Sequence, residues 1–168
     1  MKYGGNMFVY SVRASTLKFF AVICVCLVVL LTLVTMGNNT AVYASVNGES
    51  INYGGIKTEA DRVKFIEGFG LKLKEAAVKS EEFSMPENFD RILLGYNELQ
   101  KSQGLDLSKY TKKKVTHYTY EVTNYDYDGT VYVNLLIHRS KIIACDISSA
   151  NPDGFVLPLV GLDKTKLK

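Results

Sequence analysis

Tryptophan is absent from this chain of 168 residues, and cysteine and histidine are scarce, at three and two residues. Cys24 and Cys26 lie inside a long apolar run and are interpreted as membrane-embedded apolar side chains. Cys145 is the one cysteine after that run, so this part of the chain offers no pair for an internal disulfide. We therefore expect an apolar core to stabilise the region after the run, with Cys145 as a buried, inert thiol.

Acidic residues are missing ahead of the apolar run, whereas Lys2, Arg13 and Lys18 precede it. From Ser45 to Lys168, in contrast, basic and acidic residues are equal in number. A neutral domain with interspersed charges has no electrostatic attraction for nucleic acid, so we expect no nucleic-acid partner.

The apolar run from Phe19 to Met36 contains no charged residue and no proline. A helix of about 20 apolar residues crosses the roughly 30 Å hydrocarbon core of a bilayer. The run therefore predicts a transmembrane helix over residues 19–37. Because basic residues next to a membrane helix stay on the cytoplasmic side, we expect residues 1–18 inside the cell and the rest outside. The predicted localisation is the cell membrane, with a single span.

The chain after the span divides by composition. Residues 38–55 are rich in Asn, Ser and Gly and predict a flexible tether. Residues 56–160 are expected to form an extracytoplasmic domain, and residues 161–168 a loose tail. The sequence Val42-Tyr43-Ala44 also fits the preference of signal peptidase, so cleavage after Ala44 stays open beside an uncleaved anchor.

Helix signals occur at two places in the domain. Thr58, with acidic residues after it, predicts the cap of a first helix that ends near Gly68. Pro86 predicts the first turn of a second helix that runs to about Ser102. Alternating or β-branched runs predict strands at Leu71–Glu75, Val78–Ser84, Val115–Tyr125, Thr130–His138 and Ile142–Ser148.

The last three predicted strands are joined by short turns and form a meander. The first hairpin is expected to pair Tyr125 with Thr130, and the second, with a three-residue loop, to pair Leu135 with Cys145. These registers place the apolar side chains of all three strands on one face. The predicted fold is therefore α+β, with two helices packed on one face of an antiparallel sheet that ends in a three-stranded meander.

Several stretches resemble a known family. They are Ile51–Gly70, Tyr96–Tyr110, Tyr118–Tyr125, Asn134-Leu-Leu and the Val12–Lys18 lead into the apolar run. Together they resemble an uncharacterised Gram-positive family that carries domain of unknown function 4830. The resemblance implies a short single-pass protein with one extracytoplasmic domain, and it implies no activity, because the family has none assigned. Ser140 departs from the family, which tends to have Gly at the second turn of the meander.

The sheet face opposite the apolar one carries the candidate binding residues. They are His117, Glu121, Tyr132, Asn134, His138 and Asp146. The registers place His117 opposite His138, and Glu121, Asn134 and Asp146 in one row across three strands. Histidines and carboxylates are metal-ligand types, and a carboxylate pair suits acid–base chemistry. However, the histidines and the carboxylates are about 13 Å apart along the strand, so they cannot share one ion. We expect no metal, no cofactor and no catalytic residue, and an ordinary solvated sheet face is the alternative.

Three functions compete because no catalytic motif is present. The favoured one is a membrane-tethered binding or interaction module with an envelope or membrane protein as partner. A patch of four tyrosines (Tyr110, Tyr125, Tyr127 and Tyr132) supports it, although sheet-edge packing also explains them. The second is a small cell-envelope hydrolase that uses the row of Glu121, Asn134 and Asp146. The third is a helper subunit that contacts its partner through the membrane helix.

Overall fold

The computed structural model describes residues 43–46 and 49–168. The predicted span at 19–37 and the predicted cytoplasmic tail lie outside the described residues. Within these residues, every helix is too short or too polar to span a bilayer.

The described chain contains seven strands, two α-helices and two short 3-10 helices. The strands are β1 (Tyr43–Val46), β2 (Glu49–Asn52), β3 (Lys79–Ser84), β4 (Lys114–Val122), β5 (Val131–His138), β6 (Lys141–Ser149) and β7 (Val156–Pro158). The helices are α1 (Glu59–Glu67) and α2 (Arg91–Lys101), and the 3-10 helices are Leu107–Tyr110 and Lys164–Lys166.

One sheet organises the domain. Strands β3 to β7 form a five-stranded antiparallel sheet in the order β3-β4-β5-β6-β7, so each strand from β4 onwards pairs with the one before it in the chain. Strands β1 and β2 form a separate two-stranded hairpin. The α+β class and the meander are therefore confirmed. Strand β7 was not predicted, and its Val156 and Leu157 are exposed, whereas Phe155 before it packs against the core.

The first helix begins where the sequence predicts. Thr58 is its N-cap and accepts a hydrogen bond from the Asp61 amide, while the Asp61 carboxylate accepts from the Thr58 amide. The second helix begins five residues later than Pro86, at Arg91. The side chain of Asp90 accepts the Leu93 amide at 2.7 Å, and this capping sets the start.

The predicted strand at Leu71–Glu75 is wrong. This segment forms one isolated bridge, between Leu73 and Val122, made by two backbone hydrogen bonds at the end of β4. Leu71 is buried, so the segment closes the end of the core and does not extend the sheet.

The two predicted hairpin registers have different outcomes. Between β5 and β6, Leu135 lies opposite Cys145, as predicted. Between β4 and β5, Tyr120 lies opposite Val133 and not Leu135, a shift of two residues from the predicted register. The expected three-residue loop of the second hairpin is also wrong, because His138 pairs with Lys141 across a two-residue turn. A bulge at Leu136/Ile137 absorbs the difference.

That turn consists of Arg139 and Ser140, with φ angles of 45° and 62°. Two consecutive positive φ values are typical of the tight turns that favour glycine. The turn geometry therefore gives a physical reason for glycine at the position of Ser140.

The two helices pack on opposite faces of the sheet, which corrects the expectation that they share one. Ile66 of α1 belongs to a large cluster with Tyr120 and Leu135. Leu93 of α2 packs against a smaller cluster that contains Leu136. Because Leu135 and Leu136 are neighbours on one strand, their side chains point to opposite faces.

The packed domain extends beyond residues 56–160 at both ends. Tyr53 is fully buried, and its hydroxyl donates to the Gln103 carbonyl at 2.8 Å. Leu167 packs against the main core and forms a bridge with Tyr125. Residues 49–55 therefore do not all belong to a flexible tether, and residues 161–168 are not a loose tail.

Candidate functional site

The predicted polar row on the sheet exists in part. Asn134 lies opposite Asp146, as expected, but its partner on β4 is Thr119 and not Glu121. Glu121 instead lies opposite Tyr132, one pair further along the sheet. The Glu121 carboxylate accepts a hydrogen bond from Lys74 at 2.9 Å, so it belongs to a surface ion pair.

The two histidines are not brought together. His117 lies opposite Leu136, whereas His138 pairs with Lys141 at the other side of β5. A ring nitrogen of His138, Nδ1, is 2.7 Å from the Lys114 carbonyl, and the His138 ring packs edge-on against Tyr110. No group of three His, Cys, Asp or Glu in the described part of the chain is arranged to hold a metal ion.

Asp146 is the centre of a polar cluster on the α2 side of the sheet. Its side chain is 3% exposed. Tyr96 of α2 donates to Oδ2 at 2.7 Å, and Asn134 donates to Oδ1 at 2.9 Å. We call the set of connected side chains the Asp146 cluster: Tyr96, His117, Thr119, Asn134, Asp146 and Ser148.

The amide of Asn134 connects this cluster. Its Nδ2 donates to both Asp146 and Ser148, and its Oδ1 accepts from Thr119 at 3.1 Å. The same Oδ1 lies 3.0 Å from Nε2 of His117. Because an amide oxygen only accepts, the hydrogen-bond network assigns the proton to Nε2 of His117.

Burial controls the protonation of the Asp146 cluster. Burial raises the pKa of Asp146, and the hydrogen bonds from Tyr96 and Asn134 oppose that rise. Burial and then the neighbouring Asp146 carboxylate raise the pKa of Tyr96 well above its ordinary value, so Tyr96 stays a hydrogen-bond donor. Both carboxylate oxygens of Asp146 are used internally, so the cluster ties α2 to the sheet.

Cys145 is fully buried, and burial strongly raises the pKa of its thiol. Its side chain belongs to the main core, on the face opposite the Asp146 cluster. The prediction that Cys145 is a buried thiol is confirmed.

The four tyrosines do not form one patch. Tyr125 is buried in the main core, while Tyr110 packs against the smaller cluster on the other face. Tyr127 packs edge-on against Phe155. Tyr132 lies between Glu121 and Ser148 on the sheet. These positions correct the expectation of an aromatic binding surface.

A groove lies beside α1, away from all six predicted site residues. Its volume is about 770 Å³. Three separate segments line it, namely residues 50–56, the α1 region 61–69 and residues 160–164. We call it the α1 groove. Sequence reasoning missed it because segments about 100 residues apart build its walls, and no local pattern connects them.

Apolar side chains and lysines line the α1 groove together. The apolar members are Ile51, Ile56, Phe65, Phe69, Val160 and Leu162, and Lys64 and Lys164 are the cations. Asp61 also lines the groove, but its carboxylate caps α1. Clefts of this size, with an apolar lining and a few polar groups, are typical of ligand sites.

A family model described as Domain of unknown function (DUF4830) matches residues 65–147. Comparison with curated proteins gave no match, and comparison with solved structures gave none. The match starts within α1 and ends within β6, so it contains every residue of the Asp146 cluster except Ser148, but only part of one of the three segments that line the α1 groove. Residues 65–147 of this chain are therefore similar to DUF4830, a domain of unknown function.

Proposed function

We propose that this protein is a non-catalytic binding module whose ligand site is the α1 groove. The observation that carries the proposal is the groove itself, about 770 Å³ with an apolar lining and lysines. In this proposal a membrane helix at residues 19–37 anchors the module, which faces the cell envelope and binds an envelope or membrane protein.

The sheet face supports a hydrolase less well. Asp146 is buried and uses both oxygens within the protein, and Glu121 is paired with Lys74. Neither carboxylate lines the α1 groove. A general acid or base must reach its substrate within hydrogen-bonding distance, and these side chains meet other protein groups there instead.

Three properties of the α1 groove favour binding. Phe65 and Phe69 are partly exposed although they pack in contact with each other, with ring centroids 5.3 Å apart. A ligand that covers them gains about 25 cal/mol for each Å² of apolar surface removed from water. The lysines provide charge, and the wall formed by α1 is fixed by its capping box.

Photocrosslinking in the native membrane tests the proposal. Benzoylphenylalanine replaces Ser50, an exposed groove residue, in the full-length chain. The matched control carries the same residue at Ser84, which is exposed on β3 outside the groove. After irradiation in cells, intact mass spectrometry should show a discrete adduct at position 50 and none at position 84. Equal adducts at both positions, or none at position 50, would contradict the proposal.

The placement in the membrane has a separate test. A periplasm- or surface-active reporter fused after Lys168 should be active outside the cell, and the fusion should pellet with membranes. Reporter activity in the cytosol would remove the proposed topology. A mature chain that begins at Ser45 would remove the anchor but keep the exported module.

A further inference from the structure

We infer that the α1 groove takes an extended acidic peptide segment that carries a large apolar side chain. The inference rests on the proposed binding function and names the ligand class. It follows from the charges, the apolar floor and the exposed backbone of the groove.

The lining of the α1 groove carries more positive than negative side chains. Lys64 and Lys164 both line it, and neither forms an ion pair within the described part of the chain. Arg62 of the same helix is turned to the sheet, where Nε donates to the Tyr120 hydroxyl at 2.7 Å. Its guanidinium carbon lies 3.9 Å from the centroid of the Tyr118 ring. The lysines are therefore the cations that a ligand meets.

The one carboxylate of the groove lining is engaged by the protein. Oδ2 of Asp61 accepts the amides of Thr58 and Lys57 at 2.7 and 3.0 Å. The hydrogen bonds from Thr58 and Lys57 lower the pKa of Asp61, so it stays ionised as the helix cap. The groove lining therefore carries two unpaired lysines against one carboxylate that already accepts two amides, and this balance favours a ligand carboxylate over a cationic ligand.

The backbone of two glycines borders the groove. Gly55 and Gly161 are exposed, and both have a φ of 81°. The Gly161 amide donates no hydrogen bond in the described structure, whereas the antiparallel bridge between Gly54 and Lys141 directs the Gly55 amide towards the Ser140 carbonyl. An extended peptide brings main-chain carbonyls to amides such as that of Gly161 and places alternate side chains in adjacent pockets. A lone fatty acid or a free phosphate would not contact both the Gly161 amide and the aromatic rings of Phe65 and Phe69.

A display experiment reads the ligand class directly. The full-length chain in lipid nanodiscs is the bait, and the probe is a library of random heptapeptides on phage. Selected peptides should share an Asp or Glu next to a Phe, Leu, Ile or Met. Ser50→Trp, which narrows the groove, should abolish their enrichment, while Ser84→Trp, the same change outside the groove, should keep it.

Charge variants then test the role of the lysines. Lys64→Gln combined with Lys164→Gln should weaken the Kd of a selected synthetic peptide about tenfold in fluorescence polarisation, with a reduced salt dependence. The matched control combines Lys72→Gln with Lys113→Gln, two exposed lysines that do not line the groove. It should change the Kd less than about twofold. Circular dichroism spectra that match those of the native chain confirm folding of all four variants.

The outcomes separate the two proposals. Groove-dependent peptides without acidic residues, or a Kd unaffected by loss of Lys64 and Lys164, would overturn the acidic assignment and leave the binding function standing. No Ser50→Trp-sensitive enrichment, together with a position-50 adduct in cells, would show that the occupant is not a peptide. Absence of both signals would overturn the binding function itself.

Discussion

At the scale of single residues, Asp146 is the most informative side chain. It sits on the central part of the sheet, is 3% exposed and receives hydrogen bonds from Tyr96 and Asn134. Burial raises its pKa in spite of these donors. The folded protein therefore holds the Asp146 proton more tightly than the unfolded chain does.

This linkage predicts a pH dependence of stability. With a raised pKa in the folded state, protonated Asp146 adds stability below about pH 4, the ordinary pKa of aspartate, and this contribution is lost as the pH rises through the folded pKa. The difference in unfolding free energy between the native chain and Asp146→Asn should therefore favour the native chain most at pH 3.5 and decline towards pH 7. Urea titrations followed by near-ultraviolet circular dichroism measure it.

The exposed residue Asp153 provides the matched control, as Asp153→Asn. It removes a carboxylate of the same type that has no contact with Tyr96. A difference for Asp146→Asn that is constant over this pH range would contradict the role assigned to burial.

At the scale of elements, Gln103 ties the end of α2 to three other parts of the fold. Its Nε2 donates to the Cys145 carbonyl of β6 at 2.8 Å. Its Oε1 accepts the amides of Leu159 and Val160 at 2.8 and 3.0 Å. Its own carbonyl accepts the Tyr53 hydroxyl. A fully buried amide with this many partners connects the end of α2 to each of these segments.

Gln103→Met keeps the approximate volume but removes these hydrogen bonds. It leaves the two buried amides of Leu159 and Val160 and the Cys145 carbonyl without a partner, and each costs about 1–3 kcal/mol. We expect the free energy of unfolding to fall by about 3 kcal/mol or more. Amide exchange of Leu159 and Val160 should also accelerate, because their hydrogen bonds are lost.

Lys101→Met is the comparison for Gln103→Met. Lys101 is exposed at the end of α2 and forms a surface ion pair with Glu98, so its loss should cost less than about 1 kcal/mol. Equal destabilisation by the two changes would show that the Gln103 side chain does not tie these elements together.

Sequence reasoning succeeded at elements where one local pattern decides. The cap at Thr58 and the pairing of Leu135 with Cys145 follow from residue type and from alternation. Alternation does not distinguish registers that differ by two residues, because such a shift keeps every side chain on its face. The β4–β5 register was therefore missed. Pairing of β4 with β5 ends at Val122, and the next backbone amide, of Thr123, donates to the Lys72 carbonyl instead.

The candidate sites show the same limit. Alternation placed Asn134 opposite Asp146, but no pattern in the sequence indicated the hydrogen bond from Tyr96 to Asp146. These two residues are 50 positions apart, and no spacing in the sequence links them. The α1 groove depends on the ends of the domain, which composition had assigned to a tether and a tail.

At the scale of the whole molecule, the two ends of the described chain complete the domain. Tyr53 is buried against the end of α2, and Ile142 donates its amide to the Tyr53 carbonyl. At the other end, the backbone amide of Asp126 donates to the Lys166 carbonyl at 2.7 Å, and the backbone amide of Lys168 donates to the Asn124 carbonyl at 2.8 Å. The N-terminal and C-terminal segments that line the α1 groove are thus held in place by the packed domain.

Leu167→Ala tests the role of the C-terminal segment. The Leu167 side chain packs against the main core, and its truncation should lower the free energy of unfolding by about 1–3 kcal/mol in urea titrations. Lys166→Ala, at an exposed position beside it, should stay within about 0.5 kcal/mol. If both variants are equally stable, residues 164–168 do not contribute to the core.

The order of strands in the sheet has a consequence for biosynthesis. Each strand from β4 to β7 can pair with its neighbour as soon as it leaves the ribosome, because the preceding strand has already emerged. Two contacts, however, form only after synthesis of the C-terminal segment: Gln103 binds the amides of Leu159 and Val160, and Tyr125 pairs with Leu167. In a nascent chain the sheet therefore forms before residues 159–167 can cover it. During that interval chaperones can reach amides and apolar side chains that are buried in the folded domain.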